Sequence, residues 1–274
     1  MINIFGDNRA TGPRGPKGED AFDLIKWAPI GVKRLFRESE LVNIYFNSAT
    51  DGVIYSKDQK PVGLKNRGLG TDAKFLGKKF PEIKQIKYHN YMILLKDSLF
   101  EIEPARAATA NFSTAIFLFT FKSLGRSVNE PRYLFSNKSG SRAASFEERK
   151  IKEQYVGVLK IFNSGSTEEI IFAEGDWTGI LIQYTCKNGV AYCQYRTNDV
   201  SGCLDPKPQG SEIDHKLYIG GHPKKLGANH AMGSFELYYS PITEKEDYIL
   251  SEKMQKCLLT DVLDRVDEFD KSIV

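Results

Sequence analysis

Trp177-Thr178-Gly179-Ile180-Leu181-Ile182-Gln183-Tyr184 opens the stretch that decides the fold. It is apolar and rich in β-branched residues, as a buried strand requires. Lys187-Asn188-Gly189-Val190 follows, and Asn-Gly accepts the positive φ angles of a two-residue hairpin turn. Val190 to Arg196 returns as the partner strand. After a Pro/Gly-rich loop comes Lys216-Leu217-Tyr218-Ile219-Gly220-Gly221, and Gly233-Ser234-Phe235-Glu236-Leu237-Tyr238-Tyr239 closes the run.

Working outward, Leu41 to Phe46 and Val53-Ile54-Tyr55 read as a pair of strands across a turn at Thr50-Asp51-Gly52. The stretch holding Gly63, Gly68, Gly70 and Gly77 reads as turns. Ile83 to Lys87, Tyr91 to Leu95 and Leu99 to Ile102 read as short strands. Ser113 to Phe121 is almost continuously apolar, which predicts a central strand buried on both faces. Tyr133 to Phe135 and Tyr155 to Phe162 continue the sheets. The predicted fold class is mainly β, an antiparallel β-sandwich over residues 41–242.

The Trp177 strand, the short hairpin, the Leu217 to Gly221 block and the Gly233 to Tyr239 block together resemble the C-terminal half of a laminin-G-like or concanavalin A-like jelly roll. Weaker likeness extends back to about Leu41. The resemblance implies a fold shared by lectins, adhesion modules, glycosidases and structural domains, so it does not fix a function. It implies that calcium can sit at a sandwich rim, on Asp and Asn side chains and backbone carbonyls. Asp176, Asp199 and Asn229, with His222, are the candidate ligand-binding residues. No metal site or resident cofactor is assigned, since no HxH, HxxxH or HExxH spacing occurs among the histidines.

Some relatives of this fold hydrolyse β-glucans with carboxylates spaced E-x-D-x-x-E or E-x-D-x-E, one acting as nucleophile and one as proton donor. The nearest match is Glu212-Ile213-Asp214, but the second Glu position holds Lys216 or Leu217. The expectation is therefore a chain that is not an enzyme and has no catalytic residues. A glycoside hydrolase on the same fold is the weaker alternative and needs a second carboxylate from elsewhere.

The N-terminal region differs in composition. Gly12-Pro13-Arg14-Gly15-Pro16-Lys17-Gly18-Glu19-Asp20 repeats Gly every third residue, as a collagen triple helix requires at its crowded axis. A linker rich in Pro and Gly is the competing reading. Residues 1–20 are expected to form the collagen-like stub, and 21–40 a helical neck interrupted at Pro29, with Phe22, Ile25 and Trp27 on apolar faces; a helix that packs on its own sandwich is the competing reading. Gly12, Gly15, Gly18, Phe22, Ile25 and Trp27 are the expected oligomerisation residues of a homotrimer. Residues 243–274 form an appendage: Met254, Leu258, Leu259, Val262, Leu263 and Val266 share one face of a helix over about 252–268.

Cys186 and Cys193 are the candidate disulfide pair, one on each hairpin arm. With a two-residue turn, Cys186 faces Ala191 and Cys193 faces Tyr184, a diagonal placement too wide for ideal bridge geometry. A wider turn would bring the sulfurs opposite; reduced, partly buried thiols are the alternative.

A net charge of +3 with Lys and Arg dispersed along the chain argues against a nucleic-acid partner. No apolar run is long enough to span a membrane, and Met1 to Asp7 has no secretory signal pattern. The leading expectation is a structural or attachment protein. A trimeric collagen-like stalk would display sandwich heads on a virion surface or in an extracellular matrix, with other structural proteins or a receptor as partners. The second is a lectin-type module with a glycan or glycoprotein receptor as partner.

Overall fold

The structure is a computed structural model. It describes residues 42–46, 52–66, 70–86, 89–103, 112–124, 132–173, 177–187, 189–208, 216–224, 230–240, 255–256 and 259–260. In chain order the strands are β1 (Val42–Phe46), β2 (Val53–Tyr55), β3 (Pro61–Leu64), β4 (Ala73–Phe75), β5 (Glu82–Ile86), β6 (His89–Leu94), β7 (Phe100–Ile102), β8 (Phe112–Ser123) and β9 (Arg132–Asn137). They continue as β10 (Arg142–Ile151), β11 (Gln154–Asn163), β12 (Ser166–Ala173), β13 (Thr178–Lys187), β14 (Val190–Thr197), β15 (Ser201–Pro208), β16 (Leu217–Ile219) and β17 (His230–Ser240).

Two antiparallel sheets result. The first runs β15-β14-β13-β8-β17-β6-β5, with β1 also on β17; the second runs β12-β11-β10-β9-β16-β7-β4-β3-β2. The deciding stretch folds as read. Lys187 pairs with Val190 around Gly189, whose φ is +75°, and β13 and β17 flank β8 at the centre of the first sheet. Every residue of β8 from Ala115 to Phe121 is buried, because the strand has the core on one face and covered surface on the other.

The sheets pack face to face through aromatic rings. Phe117 of β8 stacks on Phe135 of β9 at 4.0 Å and 9°. Phe119 meets Phe135 edge-on, and Phe121 meets Phe172 of β12 edge-on. Such rings bury large apolar areas, and their offset and edge contacts add to the stabilisation. The Tyr184 phenol is fully enclosed, and its hydroxyl donates to the carbonyl of Phe162 at 2.8 Å.

Several expectations are corrected. The two strands of the Leu41 to Tyr55 stretch are not a hairpin: β1 pairs with β17 in one sheet, and β2 with β3 in the other. Gly63 lies inside β3 rather than at a turn; a Cβ there would come within 2.6 Å of the Ala73 carbonyl, so glycine permits the close approach of β4. Cys186 and Cys193 are buried thiols that no disulfide joins. Cys186 pairs with Ala191 and Cys193 with Tyr184, which leaves the sulfurs diagonal, and burial pushes both thiol pKa values up. The stub and neck, with Gly12, Gly15, Gly18, Phe22, Ile25 and Trp27, lie outside the described residues. Of the appendage, only Gln255, Lys256, Leu259 and Thr260 are described; these four do not establish a helix over 252–268. Gln255 does donate to Gln194 of β14 at 3.0 Å, and Leu259 is buried. Among the described residues, no helix is long and apolar enough to cross a membrane.

An ion-pair cluster covers the outward side of β10 to β12. Arg149 reaches both oxygens of Glu169 at 2.7 and 2.8 Å and also bonds Glu147, while Lys160 contacts Glu147 and Glu169. The Arg149 guanidinium holds the Glu169 carboxyl down at about 2, below its ordinary 4.5. Because the folded pKa lies below the unfolded one, this stabilisation is complete above about pH 4.5 and disappears as pH falls towards 2. Glu169 is 41% exposed, so solvent screening limits the effect to roughly 1 kcal/mol or less. Urea denaturation of Glu169→Gln should show a shallower loss of stability between pH 4.5 and 2 than the parent; an unchanged acid slope would contradict this assignment.

Candidate functional site

Three connections converge beside β16: residues 76–81 between β4 and β5, residues 95–99 between β6 and β7, and residues 220–224 after β16. They enclose an open cleft of about 330 Å³. Backbone bonds fix the first two together. The Leu76 N–H donates to the Leu99 carbonyl at 2.8 Å and the Lys78 N–H to the Asp97 carbonyl at 2.9 Å. Buried Ser98 ties the turn further: its hydroxyl accepts from the Leu95 N–H at 3.1 Å and donates to the Lys79 carbonyl at 2.8 Å.

Two glycines make this approach possible. A Cβ on Gly77 would lie 2.2 Å from the Asp97 carbonyl oxygen and 2.8 Å from the Leu99 nitrogen. Gly220 has a φ of +87°, where side chains are strained, and a Cβ there would lie 2.8 Å from the Ser98 carbonyl oxygen.

His222 is buried behind the third wall. Its ring packs against Tyr133 at 5.5 Å, and its Nδ1 accepts the Lys224 N–H at 3.0 Å. A neutral ring therefore carries its proton on Nε2, on the side of Gly140. The Ser136 hydroxyl holds the preceding Gly221 carbonyl at 3.0 Å. The lining combines apolar surface from Leu76, which is 53% exposed, with Leu99 and Pro223. Around it stand the exposed lysines Lys78, Lys96 and Lys224 and the half-buried Asp97. Such a surface can hold a ligand that has both an apolar face and polar substituents.

A smaller cleft of about 130 Å³ lies elsewhere, floored by Ile170, Phe172 and Trp177 and rimmed by Asn198, Asp199 and Val200 of the β14–β15 turn. Asn198 Oδ1 accepts the Gly179 N–H at 2.9 Å, so its side chain is engaged in holding the turn to β13.

No protein-family model matches the chain, and no curated protein matches it in sequence. Solved structures do match in fold. An arabinofuranosidase complexed with arabinofuranosyl-α-1,2-xylobiose superposes with a TM-score of 0.50 at 8% identity, over 85% of this chain and 64% of that one. The binding domain of botulinum neurotoxin DC in complex with SialylT gives 0.44 at 10% identity, over 81% and 52%. Domain 4 of AbnA, an extracellular arabinanase from Geobacillus stearothermophilus in complex with arabinotriose, gives 0.42 at 11% identity, over 74% and 93%. The chain thus spans less than two thirds of the arabinofuranosidase and about half of the toxin domain. At these identities the likeness shows the fold alone, a jelly-roll-like β-sandwich. The narrower laminin-G and collagen-like resemblances rest on sequence.

One expectation is overturned by this comparison. The exclusion of enzymatic activity rested on a single carboxylate motif of one group of fold relatives. The same fold is present in an arabinofuranosidase, so failure to match that motif does not exclude catalysis. Glu212 and Asp214 lie outside the described residues, and Lys216 pairs with Glu101 at 3.0 Å.

Of the residues singled out from sequence, His222 lines the larger cleft and Asp199 the smaller, so the two are not brought into one site. Asp176 and Asn229 lie outside the described residues. Among the described residues, no group of three or more His, Cys, Asp or Glu side chains could hold a metal ion. Sequence reasoning missed Leu76, Lys78, Lys96 and Asp97. One signal was present: Gly77-Lys78-Lys79 and Pro223-Lys224-Lys225 both place paired lysines directly after a turn residue.

Proposed function

We propose that this chain is a carbohydrate-binding β-sandwich that takes a saccharide in the cleft between Leu76, Asp97 and His222. The observation that carries the reading is the mixed lining of that cleft, exposed Leu76 and Pro223 beside lysine and aspartate side chains. A sugar ring presents C–H groups on its faces and hydroxyls at its rim, so it needs apolar contact and polar partners together. The size of the cleft falls in the range of small-ligand sites, and its walls are fixed by backbone bonds, which limits the ordering cost of binding. Phe80, the exposed aromatic of the same connection, already stacks on Phe75 at 4.6 Å and has the Lys60 ammonium 5.5 Å from its centre. Leu76 is therefore the better apolar platform. A lectin-type role is also compatible with the fold. The trimeric stalk of an attachment protein rests on the sequence of Gly12, Gly15, Gly18, Phe22, Ile25 and Trp27 and is carried by no described residue.

The test is a glycan array of neutral and acidic saccharides probed with the parent chain and with Leu76→Ser. Leu76 is exposed, so the variant should melt with the parent. Loss of its apolar contact should weaken binding by about 1 kcal/mol, roughly fivefold. Retention of no saccharide, or equal binding by the variant, would overturn the proposal.

A further inference from the structure

The first sheet is buried on the side that faces away from the second. In β8, Phe117, Phe119 and Phe121 point into the core, so Ile116, Leu118 and Thr120 lie on the outward face. In β13, Ile180, Ile182 and Tyr184 point inward, which leaves Leu181, Gln183 and Thr185 outward. The register sets these residues side by side. Leu118 pairs with Leu181, and Ile116 with Gln183, which pairs in turn with Gln194 of β14. Ile116, Leu118, Thr120, Leu181 and Gln183 are each at most 1% exposed. A sheet face reaches such burial under another packed layer, and the second sheet lies on the opposite side. Two described residues beyond the strands supply a lead. Gln255 Nε2 donates to Gln194 Oε1 at 3.0 Å, and Gln255 and Leu259 are 5% and 3% exposed. Lys256 and Thr260, the residue after each, are exposed. Buried positions four apart, each followed by an exposed one, have the spacing of an amphipathic segment laid on a surface. In sequence the same apolar spacing continues through Val262 and Val266.

We infer that the outward face of β8, β13 and β14 is a docking surface for the chain's own C-terminal segment, which lies on it in the same molecule with Gln255 and Leu259 as anchors. The match is chemical. The centre of the face is apolar, made by Ile116, Leu118 and Leu181, and takes Leu259. Its margin towards β14 is polar, and there Gln194 meets Gln255. Burying an amide without a partner is costly, so the Gln255–Gln194 bond fixes where the segment sits as well as holding it. The segment is then a third layer of the domain. Its release bares an apolar strip at the centre of the sheet, the kind of surface through which chains associate.

The test is a methyl NOE spectrum of the full chain with labelled Ile, Leu and Val methyls. Leu259 should give cross-peaks to the methyls of at least one of Ile116, Leu118 and Leu181. These cross-peaks should keep their intensity relative to the diagonal when labelled chain is diluted with excess unlabelled chain. Leu259→Asp should lower the melting temperature by several degrees and raise the binding of an apolar dye, because it places a charge against the strip. Thr260→Asp, a change at an exposed position, should do neither. Absence of all three cross-peaks would overturn the inference. Their loss on dilution would overturn it too, by making a second copy the occupant. Equal behaviour of the two Asp variants would also contradict it, since Leu259 would then not be what closes the face. The spectrum of the parent chain decides the question even where Leu259→Asp fails to fold.

Discussion

Phe135→Ala is expected to destabilise the chain by about 3–5 kcal/mol, the usual cost of removing a fully packed phenylalanine. Phe135 is 1% exposed. Its ring stacks on Phe117 and takes the edge of Phe119, so one side chain of the second sheet meets two from the centre of the first. Its backbone sits between β10 and β16, paired with Ala144 and Ile219. The surrounding strands are hydrogen-bonded on both sides and cannot collapse into the space, so the cavity term adds to the lost transfer energy. Against a total stability of about 5–15 kcal/mol, the variant should melt roughly 10 °C lower in a thermal scan. A shift of less than about 2 °C would show that the sheets are not joined at this ring.

The second large effect is steric and falls on the cleft. Gly77→Ala should cost about 3 kcal/mol, at the upper end of overpacking, because the new Cβ meets backbone and not the end of a flexible side chain. The Asp97 carbonyl oxygen would be 2.2 Å away and the Leu99 nitrogen 2.8 Å away. Relief requires breaking the Leu76–Leu99 and Lys78–Asp97 backbone bonds, which also hold two walls of the cleft. Denaturant unfolding should show the loss of stability, and saccharide affinity should fall with it. Gly165→Ala is the control. At Gly165 the φ is +96° but nothing lies within 4 Å of an added Cβ, so backbone strain alone should leave affinity unchanged. Equal behaviour of the two variants would contradict the steric account.

The central strands were legible because apolar and β-branched residues dominate them. β8 and β13 are mainly apolar, with Ala115 to Phe121 and Thr178 to Cys186 buried, and the Asn188-Gly189 turn set the hairpin register that leaves Cys186 and Cys193 diagonal. β10 was not legible: Arg142-Ala-Ala-Ser-Phe-Glu-Glu-Arg-Lys reads as charged and helix-favouring. Its outward charges are satisfied by Lys160 and Glu169 on neighbouring strands, which no local pattern announces. β15 was missed because Pro206 and Pro208 read as loop; they are tolerated on the free edge of a sheet. The candidate cleft was hardest to foresee. Residues 76–81 and 95–99 are joined by backbone bonds, but the third wall, residues 220–224, is remote from both in sequence and meets them through the Gly220 contact with Ser98, and only His222 was singled out in advance.

The most direct measurement of the central claim is an amide chemical-shift titration of the full chain with the saccharide that binds most tightly on the array. The account predicts saturable shifts at Leu76, Lys78, Asp97, Ser98 and His222, with the amides of Asn198 and Asp199 unmoved. Shifts confined to the Trp177 and Asp199 cleft, or spread over surface that includes neither, would contradict it.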